Sequence, residues 1–260
     1  MANTPEEKAR QIINFSQDPQ ITAIWAVSGG ESCPEVAKLL VEYGQNPQKY
    51  LQSHQIDPLN GKKLKYVNGA EDGFPTDRKL PLIVGMSDVS NIQIAMAKFG
   101  FPSLYAQCTL SPQEILTQTA EVIKDQSVAR NFEGIIACGN QDVPQQIEGT
   151  IYATVGGGLD SALRTDWQPH FLPDTILAIE DVSRYNVMID RIKRAKEVGA
   201  LQNVKAIMVG NGVGGGSIDI DYQDKDDSTL REKLTRLSDE LELPVFYVPD
   251  NQFGHLANRE

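Results

Sequence analysis

The stretch LPLIVGMSDVSNIQIAMAKFG, residues 80–100, runs from an apolar segment at 81–84 through Gly85-Met86-Ser87-Asp88 straight into residues with helical apolar spacing. A strand that turns this sharply into a helix belongs to an α/β sheet, and it leaves two readings for the polar pair at the turn. Ser87 or Asp88 caps the helix, as short polar side chains commonly do. Alternatively, Ser87 is a nucleophile held beyond the carboxyl end of a parallel strand, where such sheets bind their ligands. In the second case the backbone N–H of Asp88 lies at a helix N-terminus, where orphan donors and the helix dipole favour a developing oxyanion. The α/β-hydrolase elbow reaches similar geometry through G-x-S-x-G, but this chain reads G-x-S-D-V and does not match that fold.

The pattern repeats outward from this turn. ITAIWAV (21–27) is a continuous apolar run of the kind covered on both faces, and CPEVAKLLVEYG (33–44) has helical spacing ending at glycine. Residues 4–17 read as a helix with Thr4 as cap, Pro5 at its first position and Glu7 three residues after the cap. A short strand at 103–106 and a helix at 111–125 complete an alternation that predicts a parallel sheet with helices on its faces. Residues 45–79 are polar and turn-rich, a long irregular stretch of the kind that serves as a binding loop. From about residue 126 the character changes. Strands at 132–140, 149–157 and 174–182 are joined by glycine-rich turns, followed by helices at 186–198 and 228–240 and strands at 204–210 and 243–249. The fold class is therefore α/β, with an N-terminal parallel-sheet α/β domain over 1–128 and a smaller mixed α/β C-terminal domain over 129–260.

Composition excludes several functions. The chain has 260 residues, 40% hydrophobic and 23% charged, an ordinary balance for a globular protein. A net charge of −11 argues against a nucleic-acid partner and against an anionic membrane surface. The first residues lack the apolar core of a signal peptide, and Cys33, Cys108 and Cys138 fit no zinc spacing. A sparse, odd set of thiols agrees with a reducing, cytoplasmic setting. Cys138 lies within an apolar strand and reads as an inert buried thiol.

A serine nucleophile needs a base, and only three histidines are present. His54 lies in a polar loop and His170 in the proline-flanked WQPHFLPD. His255 follows the apolar PVFYVP and the turn DNQFGH, at a second strand's carboxyl end. Its orienting carboxylate would come from Glu180-Asp181, at the end of another apolar strand. Asp181 also suits a helix cap, whereas Glu180 comes directly off the strand. Gly210, Gly212 and Gly215 satisfy G-x-G-x-x-G after a strand, but the acidic SIDIDYQDKDDS that follows is neither an amphipathic helix nor compatible with a pyrophosphate. No dinucleotide cofactor is expected.

The order AIWAVSGG, LIVGMSDVSNI, GIIACGN, GT.Y, ILAIEDV, MIDRI, VKAIMVG and FGH resembles the LD-carboxypeptidase family, which includes the microcin C immunity proteins, over residues 5–258. The resemblance implies a Ser-Glu-His triad between the two domains: Ser87 as nucleophile, His255 as base and Glu180 as orienting carboxylate. It further implies an oxyanion hole from the backbone of Asp88 with Gly29 or Gly30, and substrate contacts from Ser28, Gly139 and Asn140. The implied reaction hydrolyses an amide in a small murein-type L,D-peptide or a peptidyl nucleotide through an acyl-enzyme. Neither metal nor cofactor is needed, and a cytosolic homodimer is expected. The chain departs from the family pattern at Ser28, where an arginine is usual, at Tyr105-Ala106-Gln107 for H-G-P, at Cys138-Gly139-Asn140 for G-G-N, and at Leu256, where a glycine usually follows the histidine. Relatives also carry a strand–helix–strand unit before the point matching residue 1 and a final strand after that matching His255. A sheet lacking that first unit would leave an edge that favours dimerisation. The alternative from another class is a degenerate relative that binds a peptide or a partner protein.

Overall fold

The computed structural model describes residues 4–26, 29–106, 132–139, 146–181, 185–210 and 229–249, together with positions 113, 117, 120, 121, 124 and 253. Helix α1 (Pro5–Gln17) forms where its cap signals lie: the Thr4 hydroxyl accepts a bond from Glu7 N–H at 3.1 Å. Strand β1 (Ala23–Trp25) and helix α2 (Cys33–Gln45) follow, then α3 (Pro47–Ser53) and a 3₁₀ turn at Ala70–Asp72. The decisive stretch forms β2 (Leu82–Gly85) and α4 (Val89–Ala97), and β3 (Ser103–Tyr105) completes a parallel three-stranded sheet in the order β1-β2-β3. The five described positions between 113 and 124 are all helical, as the spacing over 111–125 predicts.

Residues 45–79 are irregular as expected except at α3 and the 3₁₀ turn. Asn46 caps α3 by accepting from Lys49 N–H at 3.1 Å, with Pro47 at the first helical position. Tyr50 and Phe74 pack edge-on against the fully buried Tyr43 at centroid distances of 5.6 and 4.8 Å. Tyr50 and Phe74 thus anchor the stretch to the N-terminal core, while most of its residues are exposed and irregular, as their turn-forming composition predicts.

The C-terminal half contributes β4 (Ile136–Cys138), β5 (Thr150–Val155), α5 (Gly156–Ala162), β6 (Thr175–Glu180), α6 (Tyr185–Glu197), β7 (Val204–Val209), α7 (Leu230–Leu241) and β8 (Val245–Tyr247). These strands form one sheet in the order β4-β8-β7-β6-β5, parallel except for β4, which runs antiparallel to β8. The fold is therefore α/β with a parallel sheet and a mixed sheet. Among the described residues the second sheet is the larger, with five strands against three.

Buried β6 and β7 carry apolar side chains toward α6 and α7, whose core positions are Met188, Ile192, Leu234 and Leu237. The two halves meet through α4 and α5. All residues from Val89 to Met96 are buried, which accounts for a helix with almost no polar face. The Ser161 hydroxyl of α5 donates to Asn91 Oδ1 of α4, and Trp167 packs on Ala37, Val41 and Ala95. Among the described residues no helix is long and apolar enough to cross a membrane.

Candidate active site

Ser87 sits between the end of β2 and the start of α4 with φ of +57°. A residue bearing Cβ adopts this left-handed conformation only when its surroundings impose it. Here Gly85 allows the tight turn, since a Cβ on it would stand 2.5 Å from Val89 Cγ1. Gln93, buried in α4, holds the strand ends from below: its Nε2 donates to the carbonyls of Ile83, Gly85 and Leu104 at 3.3, 3.2 and 3.0 Å. Asp88 occupies the N-cap position of α4 without a side-chain capping bond, so its carboxylate does not perform the capping role that its position suggests.

Gly29 lies against this turn. A Cβ there would be 3.1 Å from both Asp88 N and Ser87 Cβ, a close approach of the two backbone segments that glycine permits without displacement. Gly30 faces open space and accepts a bond from Cys33 N–H at 2.9 Å, which starts α2. Of the two glycines expected to flank an oxyanion, Gly29 therefore stands beside the serine turn. Ser28 lies outside the described residues.

Glu180 ends β6 and is fully buried. A link that sequence reasoning missed joins it to the serine turn. Tyr105, at the end of β3, accepts a hydrogen bond from Ser87 N–H at 3.0 Å and donates its own hydroxyl to Glu180 Oε1. Burial, and then the adjacent carboxylate, push the Tyr105 phenol well above its ordinary pKa, so it is a proton donor throughout the neutral range. The signal was the parallel register, which sets Tyr105 beside Gly85 at one sheet end.

Asp181 is also buried, but it faces Arg191 of α6 in an ion pair. Arg194 grips Asp160 of α5 through two bonds of 2.8 and 2.9 Å. These arginines fix the segment after β6 against the start of α5. Gly156 is required there, since a Cβ on it would stand 2.4 Å from Asp181 Oδ2.

The remaining predicted residues separate. His54 stacks on Tyr50 in the N-terminal core, with ring centroids 4.3 Å apart, and exposed His170 precedes β6 at the end opposite Glu180. His255 lies outside the described residues. Phe253, two residues before it, is described and buried: its ring lies 6.2 Å from that of Tyr105, and it packs on Gly210 at the end of β7. Gly139 is not brought to the site. Because β4 is antiparallel, Cys138 pairs with Val245 at the start of β8, so Gly139 leaves the far edge of the sheet at the end away from Glu180. Asn140 lies outside the described residues. Cys138 is buried with its thiol on Ile136 O at 3.6 Å, in keeping with an inert role. Among the described residues no cluster of three His, Cys, Asp or Glu could hold a metal ion.

Comparison with known proteins bears on this arrangement. Residues 133–259 match the family model described as LD-carboxypeptidase C-terminal domain. No curated protein matches the sequence. Among solved structures, the muramoyltetrapeptide carboxypeptidase from Oxalobacter formigenes is similar at 18% identity and a TM-score of 0.60, covering 98% of this chain and 76% of that one. An MccF-like protein from Streptococcus pneumoniae, solved in complex with AMP, gives 15% identity and a TM-score of 0.59, covering 96% and 76%. The microcin C7 self-immunity protein MccF in complex with glutamyl sulfamoyl guanosine gives 16% and 0.55, covering 97% and 74%. At these identities the likeness is one of fold.

Proposed function

We propose that this chain, which belongs through residues 133–259 to the LD-carboxypeptidase C-terminal domain family, is a serine hydrolase that cleaves an amide bond in a small peptide or peptidyl nucleotide. The observation that carries the reading is the left-handed φ of Ser87 at a strand–helix turn whose backbone is bonded, through one tyrosine hydroxyl, to a buried glutamate. A capping serine has no need of that conformation, whereas an exposed nucleophile at the head of a sheet does.

In the reaction, Ser87 Oγ attacks the carbonyl carbon while its proton passes to His255. Glu180 orients the imidazole and stabilises the imidazolium that forms. The negative oxygen of the tetrahedral intermediate is received by the N–H groups of Asp88 and of Gly29 or Gly30. Collapse expels the amine, protonated by His255, and leaves an acyl-enzyme on Ser87. Water, activated by the same histidine, then releases the acid and restores the serine. Phe253 supports the choice of base: it is anchored beside Tyr105, and two further residues reach at most about 7 Å.

For the substrate we infer an L,D-peptide of murein type or an aminoacyl nucleotide analogue. The muramoyltetrapeptide carboxypeptidase and the sulfamoyl-nucleotide complexes of MccF, which share this fold, support these two candidates.

The test is intact-protein mass after exposure to a broad fluorophosphonate. Wild type is expected to gain one adduct on Ser87, and Ser87→Ala and His255→Ala to gain none. Release of D-alanine from a tetrapeptide, or of a nucleotide from an aminoacyl conjugate, then selects between the substrates. Folded wild-type protein that takes up no reagent would overturn the hydrolase reading and leave a binding module.

A further inference from the structure

The bond chain from Ser87 through Tyr105 to Glu180 crosses from the N-terminal sheet to the C-terminal sheet. We propose that Tyr105 is a positioning residue that locks the nucleophile's turn to the orienting carboxylate and, through that carboxylate, lowers the basicity of the histidine base. The proposal rests on the serine-hydrolase reading.

Two geometric facts support it. The Tyr105 hydroxyl is at once the acceptor for Ser87 N–H and a donor to Glu180, so one oxygen fixes both elements. Its ring lies 6.2 Å from that of Phe253, which precedes His255 by two residues in the sequence. A carboxylate that already accepts a phenol proton has less charge to offer a second partner, so it stabilises an imidazolium less. The elevated pKa of the phenol keeps this donor protonated across the working range of a histidine.

The charged groups facing the bond come from three elements. Glu180 and Asp181 end β6, Arg191 of α6 pairs with Asp181, and Asp88 lies on the serine turn. Tyr105→Phe leaves all four in place and keeps the ring on Phe253, so it isolates the hydroxyl.

The sign follows directly. Without the phenol proton, Glu180 holds the imidazolium more strongly, the histidine pKa rises, and less free base is present at a given pH. The acid limb of the fluorophosphonate labelling rate, followed against pH on full-length protein, is expected to move up by roughly 0.5–1 pH unit. The plateau rate is expected to fall about tenfold or more, because the turn has lost its anchor. In parallel, the urea midpoints of Tyr105→Phe, Glu180→Gln and the double variant are expected to be non-additive. An unmoved acid limb would reduce Tyr105 to a packing residue and overturn the positioning role, even with coupled stabilities. Additive midpoints would overturn the tie itself. If wild type is never labelled, the hydrolase reading fails and the effect on basicity falls with it, while the double-variant cycle still decides whether the tie exists.

Discussion

Ser87 carries a Cβ at a φ that glycine reaches without steric cost. Holding an L residue there costs about 1–2 kcal/mol, partly offset because glycine loses more freedom on folding. Ser87→Gly is therefore expected to stabilise the protein by up to about 1 kcal/mol while abolishing fluorophosphonate labelling. Ser87→Ala removes the hydroxyl and keeps the strain, so its urea midpoint should stay within about 0.5 kcal/mol of wild type. A serine kept only for capping would instead make both replacements destabilising, alanine more than glycine. The same residue shows where sequence reading stops. Residue type and position fit a cap as well as a nucleophile, the cap being the commoner case, and the backbone angle, which the turn's neighbours impose, separates them. Tyr105 was less accessible still: its role depends on two partners, 18 and 75 residues away, that no local pattern links.

At the scale of elements, α4 shows why the parallel sheet was legible and its support was not. The alternation of apolar runs with helical spacing identifies β2 and α4, since both periods are strong. Gln93 is polar within an otherwise apolar α4, yet it is buried, with its amide on three carbonyls of β2 and β3. Gln93→Leu conserves much of the volume and removes those bonds. It is expected to cost about 1–3 kcal/mol in urea unfolding and to slow labelling of Ser87, because the strand ends that present the serine lose their brace. Unchanged stability would mean that the carbonyls are satisfied without the amide. Helix α5 failed to show in the sequence for a related reason. GGG opens it, and glycine is a poor helix former, so the stretch reads as a turn. Two of those glycines are there for space, against Asp181 and against Ser90, and a tertiary contact is invisible to propensity.

For the whole molecule, the site depends on how the two sheets are held together, since Ser87 comes from one and Glu180 from the other. Among the described residues β1 and β3 are the edge strands of the first sheet; if the homodimer expected from the sequence covers one of them, sedimentation equilibrium should give the mass of two chains. Within one chain α4 packs against α5, and at that contact Gly158 lies against Ser90. A Cβ on Gly158 would lie 2.0 Å from Ser90 Oγ and 3.2 Å from Ser90 Cβ. Helix propensity alone makes Gly158→Ala stabilising by about 0.5–1 kcal/mol. The interface reverses that sign: the variant is expected to lose about 1–3 kcal/mol and to slow labelling, because the helices must part and carry Ser87 away from Glu180. Ser90→Ala removes the oxygen in conflict, so the double variant should recover most of the stability and the labelling rate, with a coupling of at least about 1 kcal/mol. Recovery of both would tie assembly of the site to the fit between α4 and α5. Stability regained without the labelling rate would mean that the spacing of the helices is set elsewhere than the geometry of the serine and the glutamate.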